Sequence, residues 1–172
     1  MGIEELNYME RVSKILYHEK FNEYLKKIMK YERKREFCKH DIQHFLDTAR
    51  IAYILNLEKG FNIHKEVVYG AALLHDIGRW REYENGIPHN IASSDLSEKI
   101  LIDSGFSKIE IQKIKKAILN HRKKDKDIIE EKEAYLSDII YAADKLSRNC
   151  FCCRSRKKCN WSDEKKNLNL KY

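Results

Sequence analysis

Residues 41–57, DIQHFLDTARIAYILNL, give the clearest indication of the fold class. Apolar side chains such as Phe45, Ala49 and Ala52 recur there at helical spacing, whereas a half-buried strand would alternate apolar and polar residues. Few polar positions remain for solvent, so the segment is predicted to be a largely buried helix. The fold is therefore expected to be built around this helix.

Helical patterns also occur along the rest of the chain. They predict further helices over residues 4–30, 64–76, 91–103, 111–121 and 135–146. Ser107 and Glu110 have the spacing of a capping box. Residues 78–90 contain the only Pro and are predicted to be a loop, with Asn90 capping the helix after it.

The composition agrees with a helical protein. One Pro and six Gly in 172 residues are too few for a β-sandwich or barrel, which need frequent turns. We therefore expect an all-α fold, with a single helical domain over residues 1–149. After Asn149 the composition changes to Cys, Arg, Lys and Asn, which predicts a Cys-rich basic tail over residues 150–172.

Charge and hydropathy limit the function classes. The chain has 34 Lys and Arg against 27 Asp and Glu, a net charge of +7, carried by short basic clusters that suit a phosphate-bearing ligand. No run of 18 apolar residues occurs, and the start MGIEELNYMERV lacks the basic and apolar regions of a signal peptide. These features predict a soluble cytoplasmic protein without a membrane partner, in which cysteines are reduced thiols, metal ligands or redox groups.

Six residues with metal-binding side chains stand in otherwise apolar surroundings: His44, His75, Asp76, His89, His121 and Asp144. Burying a carboxylate among apolar neighbours is costly unless it is paired or coordinates a metal. Imidazoles together with carboxylates suit divalent first-row transition ions, and an adjacent His-Asp pair can reach two of them. The set therefore predicts a buried metal site.

The order of these residues resembles the HD-domain phosphohydrolase superfamily. That family has a His on an early helix, a His-Asp pair at the end of a later helix and a distant Asp, which fall here on His44, His75, Asp76 and Asp144. The matching strings are HDIQHFLDTARIAYIL, AALLHDIGRW, AILNHRKKD and YAADKLSR, and the similarity covers residues 37–148. Four segments in the right order are specific, whereas a lone His-Asp dipeptide is not.

The resemblance implies an all-α core in which those four residues bind a divalent cation beside a phosphate ester. His89 and His121 match the extra histidines of binuclear subfamilies, in which Asp76 would bridge two ions. One or two ions are therefore expected, and Fe, Mn, Zn, Co and Ni are not distinguished. His89 follows His75 by only 14 residues, so it could instead be an acid or hydrogen-bond donor in the pocket.

The expected catalytic residues are Asp76, Arg79, His89 and Lys145. A water acidified by the metal would attack phosphorus, and Arg79, Lys145 and Arg122 would add positive field around the phosphate. Lys145 follows Asp144 directly and should point to another helix face. Arg79 could equally form a surface ion pair with Glu82 or Glu84.

Departures from the family pattern narrow the range of expected substrates. No GYP tripeptide follows His121, which argues against the cyclic-dinucleotide phosphodiesterase branch. Guanosine-tetraphosphate hydrolases and the nucleoside-monophosphatase branch have a Glu three positions after the His-Asp pair, where this chain has Arg79. Arg79 resembles the branches with a basic residue there, which include binuclear hydrolases of dinucleoside polyphosphates. His18, His40 and His64 match nothing in the pattern and are expected at the surface or in connectors.

The tail carries a second group of ligand-type residues. Cys150 and Cys153 form C-x-x-C, Cys159 follows, and Cys38 with His40 could supply a remaining ligand. Because no second C-x-x-C exists, the zinc pattern is only partial. An iron–sulfur site, a redox switch or ordinary thiols in a frayed tail are the alternatives.

Two functions are compatible with these patterns. The favoured one is a metal-dependent hydrolase of phosphate esters or anhydrides, acting on a nucleotide or dinucleoside polyphosphate. The alternative is a non-catalytic sensor that binds nucleotide or nucleic acid, with the cysteines as a metal or redox switch. The complete ligand set favours catalysis, and a small phosphorylated molecule is the expected partner.

Overall fold

The computed structural model describes residues 8–121 and 131–172. Those ranges contain α-helices and no strand, which confirms the all-α fold class. No helix in them is long and apolar enough to cross a membrane. The helices are α1 (Glu10–Tyr17), α2 (Glu19–Tyr31), α3 (Ile42–Glu58), α4 (Lys65–Leu74), α5 (Arg79–Asn85), α6 (His89–Asp103), α7 (Lys108–Asn120) and α8 (Glu131–Leu146).

The core lies where α3 packs against α4 and α8, with α7 against α4 and α8. Phe45 of α3, Leu74 of α4 and Ile140 of α8 are fully buried. Gly70 of α4 lets the next layer approach, because a Cβ there would lie 3.3 Å from the Phe106 ring. The same apolar faces therefore fix the helices that carry the polar side chains of the site.

The amino-terminal pattern was expected to be one helix over residues 4–30, and that prediction is wrong. The helix is interrupted at His18, which has extended backbone angles of φ −65° and ψ 131°. The His18 ring accepts a hydrogen bond from the Lys20 backbone N–H at 3.1 Å and so caps α2. Its other ring nitrogen lies 3.0 Å from Asp103. This cap satisfies the backbone N–H of Lys20, and the spacing of apolar residues gives no information about such caps.

The loop predicted for residues 78–90 is also wrong in part, because it contains α5. This helix has only seven residues and buries only Trp80, so its sequence has little periodicity. It ends at Gly86, whose φ of +74° is left-handed. The next helix starts at His89, and Asn90 donates to the Leu119 carbonyl at 2.8 Å instead of capping.

The Cys-rich tail packs on the helical body. Its secondary structure consists of two 3₁₀ turns, Cys150–Cys152 and Arg156–Lys158. The side-chain amide of Asn167 donates to the Leu146 carbonyl at 2.8 Å, and the Tyr172 hydroxyl donates to Glu58 at 2.9 Å. The tail therefore contacts both α8 and α3, two of the helices that form the candidate site.

Candidate metal centre

Four of the predicted ligand residues meet at one point. His44 on α3, His75 and Asp76 in the turn after α4, and Asp144 on α8 each offer one ligand atom, and these atoms all lie within 4.8 Å of one another. All four side chains are buried. Helices far apart in sequence thus bring a mixed imidazole and carboxylate set to one place.

A second set shares Asp76. Its partners are His89 at the start of α6 and His121 at the end of α7. The Oδ1 atom of Asp76 lies 3.1 Å from His89 Nε2 and 3.8 Å from His121 Nε2. The Oδ2 atom faces the first set and lies 3.5 Å from His75 Nε2. The two oxygens of one carboxylate are therefore divided between two groups of imidazoles.

Hydrogen bonds on the far side of the rings fix their tautomers. Nδ1 of His75 lies 2.6 Å from the Ala72 carbonyl, and Nδ1 of His121 lies 2.5 Å from the Ile118 carbonyl. A carbonyl oxygen only accepts, so each Nδ1 carries the proton and each Nε2 presents a lone pair. Such bonds orient metal-binding histidines.

His44 is held in the same way by a hydroxyl. The Ser147 hydroxyl donates to the Asp144 carbonyl at 2.9 Å, so it can only accept from His44 Nδ1, which lies 3.0 Å away. The Nε2 lone pair of His44 therefore also faces the carboxylates, and lies 3.3 Å from Asp144 Oδ1.

The arrangement fits a bound cation. Among the described residues, His75 Nε2 and Asp76 Oδ1 are buried and have no hydrogen-bond partner. A lone pair that faces a carboxylate oxygen in a buried site is repulsive unless a positive charge lies between the two atoms. Imidazole with carboxylate is a donor set for divalent first-row ions. The chain thus has a buried His/Asp cluster able to hold a metal.

The electrostatics keep the carboxylates ionised. Burial alone would raise the pKa of Asp76, but His75, Arg79, His40 and His89 together hold it well below its usual value. Burial likewise opposes ionisation of Asp144, yet His44, Lys145 and His75 hold its pKa well below the usual value. Both acids are therefore negatively charged at neutral pH, as metal ligands must be.

Acid is expected to destabilise the metal-free protein. Burial lowers the pKa of His44 and of His121 to about 4, from an ordinary value of about 6.5. The unfolded chain therefore takes up protons first, so the stability contributed by these rings is complete above pH 6.5 and is lost as pH falls towards 4. Urea unfolding in EDTA across this range measures it, and His121→Gln should flatten the slope. Constant or rising stability on acidification would contradict the burial argument.

Comparison with known proteins identifies the family. The HD-domain family model matches residues 41–149, which include all six candidate metal ligands. The chain belongs to the HD-domain family. It is 45% identical to an uncharacterised protein of Clostridium beijerinckii over 164 residues, 95% of this chain and all of that protein. The crystal structure of a predicted HD superfamily hydrolase from an uncultured Thermotogales bacterium has the same fold, with a TM-score of 0.58, 21% identity and coverage of 86% of this chain and 81% of that chain.

Arg79 of this HD domain points into the site. Its Nη1 lies 3.6 Å from Asp76 Oδ1 and 3.0 Å from His89 Nδ1. It also lies 3.9 Å from Glu82, so the expected ion pair with that residue is present at the edge of the site. The Nε donates to the Tyr83 hydroxyl at 3.2 Å. The positive charge of Arg79 is thereby held next to the Asp76 carboxylate.

Lys145 also reaches the site, against the expectation that it points away from Asp144. Its ammonium donates to Asp144 Oδ2, and its long side chain lines the same cavity as Arg79. Helical geometry separates the two Cβ atoms, but four methylene groups are enough to return the charge to its neighbour. Arg122 lies outside the described residues.

His40 and Glu32 were missed by the sequence analysis. His40 was expected at the surface or in a connector. It does lie in the connector between α2 and α3, but it is buried, at 5% exposed, and its Nε2 lies 3.5 Å from Asp76 Oδ2. Its Nδ1 donates to Glu32 at 2.5 Å, so it faces the metal centre and not the cysteines. Because Glu32 lies in a basic stretch at the end of α2, the pattern of the sequence does not mark it.

Arg148 is a further residue without a sequence signal. Its Nη2 donates to His44 Nε2 at 2.8 Å and lies 3.4 Å from Asp144 Oδ1, and its Nη1 donates to the Lys39 carbonyl at 2.7 Å. The guanidinium therefore contacts two of the candidate ligands from a position just before the tail. Arg148 is the last residue of the string YAADKLSR, and nothing in that string marks it as a site residue.

Proposed function

We propose that this HD domain hydrolyses a phosphate ester or anhydride of a nucleotide, with a dinucleoside polyphosphate as the narrower substrate. The division of the Asp76 oxygens between two imidazole sets carries the proposal, because it suits a carboxylate that bridges two cations. In this arrangement His44, His75, Asp76 and Asp144 would hold one ion, and Asp76, His89 and His121 would hold the other. When bound, such ions supply a hydroxide nucleophile and neutralise charge on the phosphoryl oxygens.

The cavity next to the cluster supports a nucleotide substrate. It has a volume of about 430 Å³, and Asp76, His89, His121 and Asp144 form one side of it. The cations that line it are Arg35, Arg79, Lys145 and Arg148. Positive groups placed next to a metal centre bind phosphate and stabilise the charge that develops during transfer.

Two aromatic residues also line the cavity. Phe37 precedes α3, and Trp161 belongs to the tail. Flat rings next to a phosphate-binding region provide a surface on which a base can stack. A nucleotide satisfies both features of the cavity, whereas inorganic phosphate uses only one.

The chain positions Arg79 through a relay. The Tyr83 hydroxyl accepts from Arg79 Nε and donates to Glu32 at 2.6 Å, and Glu32 in turn accepts from His40. Burial raises the pKa of Glu32, but the hydrogen bonds and charge of His40 and the hydrogen bond from Tyr83 outweigh burial and lower it to about 2. One ionised carboxylate thus orients both the guanidinium and the imidazole next to Asp76.

Glu32→Gln is expected to slow phosphate release about 10- to 100-fold, the usual effect of removing a group that orients a metal site. The amide keeps the size of the side chain but loses the charge that holds His40 and Tyr83. Glu36→Gln is the matched control, because Glu36 is exposed and pairs with Lys158. Phosphate release and bound metal are measured on the same samples. Equal rates for the two variants would contradict the relay.

A phosphate-release screen tests the proposal. The protein is loaded separately with Mn²⁺, Fe²⁺, Co²⁺, Ni²⁺ or Zn²⁺ and offered nucleoside mono-, di- and triphosphates and dinucleoside polyphosphates. Release should require metal, stop with EDTA, resume on reloading and be absent from His44→Ala. Tight nucleotide binding without turnover by any metal-loaded form would overturn the proposal and support a non-catalytic sensor.

A further inference from the structure

Four of the five cysteines line one cavity, although they come from two distant segments. Cys38 lies before α3, whereas Cys150, Cys153 and Cys159 follow α8. The cavity has a volume of about 280 Å³. Cys152 is not part of it, since its side chain is exposed and its thiol lies 3.5 Å from the Asn149 carbonyl. Four thiols therefore line the cavity, and the fifth lies outside it.

Two side chains of the tail join the two segments. The Ser155 hydroxyl donates to the Glu36 carbonyl at 3.1 Å, and the Lys158 ammonium pairs with the Glu36 carboxylate at 2.8 Å. All the cysteines are free thiols. The segments are thus joined by a hydrogen bond and an ion pair and not by a disulfide.

The surroundings of Cys38 disfavour its thiolate form unless a cation is bound nearby. Burial raises the pKa of Cys38, and Cys150, Cys153 and Cys159 raise it further, while Arg148 opposes them. The three neighbouring cysteines therefore discourage ionisation of Cys38, and the guanidinium of Arg148 also contacts His44 and Asp144. A bound metal centre supplies the positive charge that lets all the thiols ionise.

The spacing of the sulfur atoms bears on the kind of metal centre. In a tetrahedral zinc site with Zn–S bonds of about 2.3 Å, the sulfurs lie about 3.8 Å apart. Among the described residues, no three of these thiols have sulfur atoms within 4.8 Å of one another. They therefore lack the close spacing that a single tetrahedral zinc ion requires.

We propose that Cys38, Cys150, Cys153 and Cys159 ligate an iron–sulfur cluster. Four thiolates are the usual ligand set of such clusters, whose several metal atoms fill a wider space than one zinc ion. The cluster would also fix the start of the tail, because the Cys150 backbone N–H donates to the Arg148 carbonyl at 2.9 Å. Arg148 in turn contacts His44 and Asp144.

Acid-labile sulfide is the decisive measurement, because iron at the His/Asp centre brings no sulfide. Protein purified without oxygen from iron-replete cells should contain iron, acid-labile sulfide and visible charge-transfer absorption. Cys153→Ser and Cys38→Ser should lose the sulfide. Cys152→Ser is the matched control and should retain it, and His44→Ala should retain it as well, so the result is independent of the hydrolase proposal.

Alkylation of the native wild type tests the site without relying on variants that fail to fold. Iodoacetamide followed by mass spectrometry should modify Cys152 rapidly and the four cavity cysteines only after the cluster is removed. Zinc without sulfide in the wild type would overturn the proposal. So would the absence of sulfide, an equal loss in Cys152→Ser and Cys153→Ser, or alkylation of all five cysteines at one rate.

Discussion

Asp76→Ala is expected to reduce phosphate release to the background rate. Asp76 is the only residue common to the two ligand sets found among the described residues, so its loss removes a ligand from both. Without those ligands the centre cannot generate the hydroxide nucleophile. The helical signal in circular dichroism should persist, because the apolar faces of α3, α4 and α8 are untouched. Bound metal should fall together with activity.

Asp138→Ala is the matched control for this variant. Asp138 is an exposed carboxylate on α8, the helix that also carries Asp144. It should retain wild-type phosphate release and metal content. Full activity of a folded, metal-loaded Asp76→Ala protein would show that the reaction does not depend on the Asp76 carboxylate.

Gly78→Ala is expected to have the largest effect on stability. A Cβ at this position would lie 2.3 Å from the Ser93 backbone nitrogen and 2.6 Å from the Ala92 carbonyl carbon, so α6 would have to move. Forcing extra volume into a packed core costs about 1–3 kcal/mol, and occasionally more. Urea unfolding measures the loss. Because α6 begins at His89, the same shift should weaken metal binding.

Gly70→Ala provides the comparison. A Cβ there meets side-chain atoms, the Phe106 ring at 3.3 Å and an Ile114 methyl at 3.4 Å, which can adjust. Alanine is also the better helix former by about 1 kcal/mol. The expected loss is therefore clearly smaller than for Gly78→Ala. Equal losses of unfolding free energy in the two variants would mean that the backbone contact of Gly78 with α6 tolerates a methyl group as well as the side-chain contacts of Gly70 do.

Long periodic segments were predictable because their own residues specify them. The capping box of α7 is an example, since Ser107 and Glu110 bind each other's backbone as their spacing indicates. Buried helix α3 is another, with an Asp41 cap and an apolar set that faces the core. The fold class followed from such local signals. The convergence of His44 and Asp144 came from the family resemblance, because no local signal relates residues 100 positions apart.

The parts that sequence reasoning missed depend on tertiary contacts. Helix α5 is short and mostly polar, and it exists because Gly78 lies against α6 while Trp80 is buried. The His40 ring is held next to Asp76 by a hydrogen bond to Glu32, the residue that caps the end of α2. Neither His40 nor Glu32 belongs to a periodic pattern or a motif. Buried polar pairs of this kind become visible only when the helices are placed.

Anomalous diffraction from crystals soaked in Mn²⁺ tests the central claim, that the His/Asp cluster is a metal centre, most directly. A peak is predicted between the ligand atoms of His44, His75, Asp76 and Asp144. A second peak next to His89 and His121 would establish the binuclear form, and its absence would assign His89 to the pocket as a donor. A protein that binds Mn²⁺ in solution but shows no peak within the first ligand set would contradict the account.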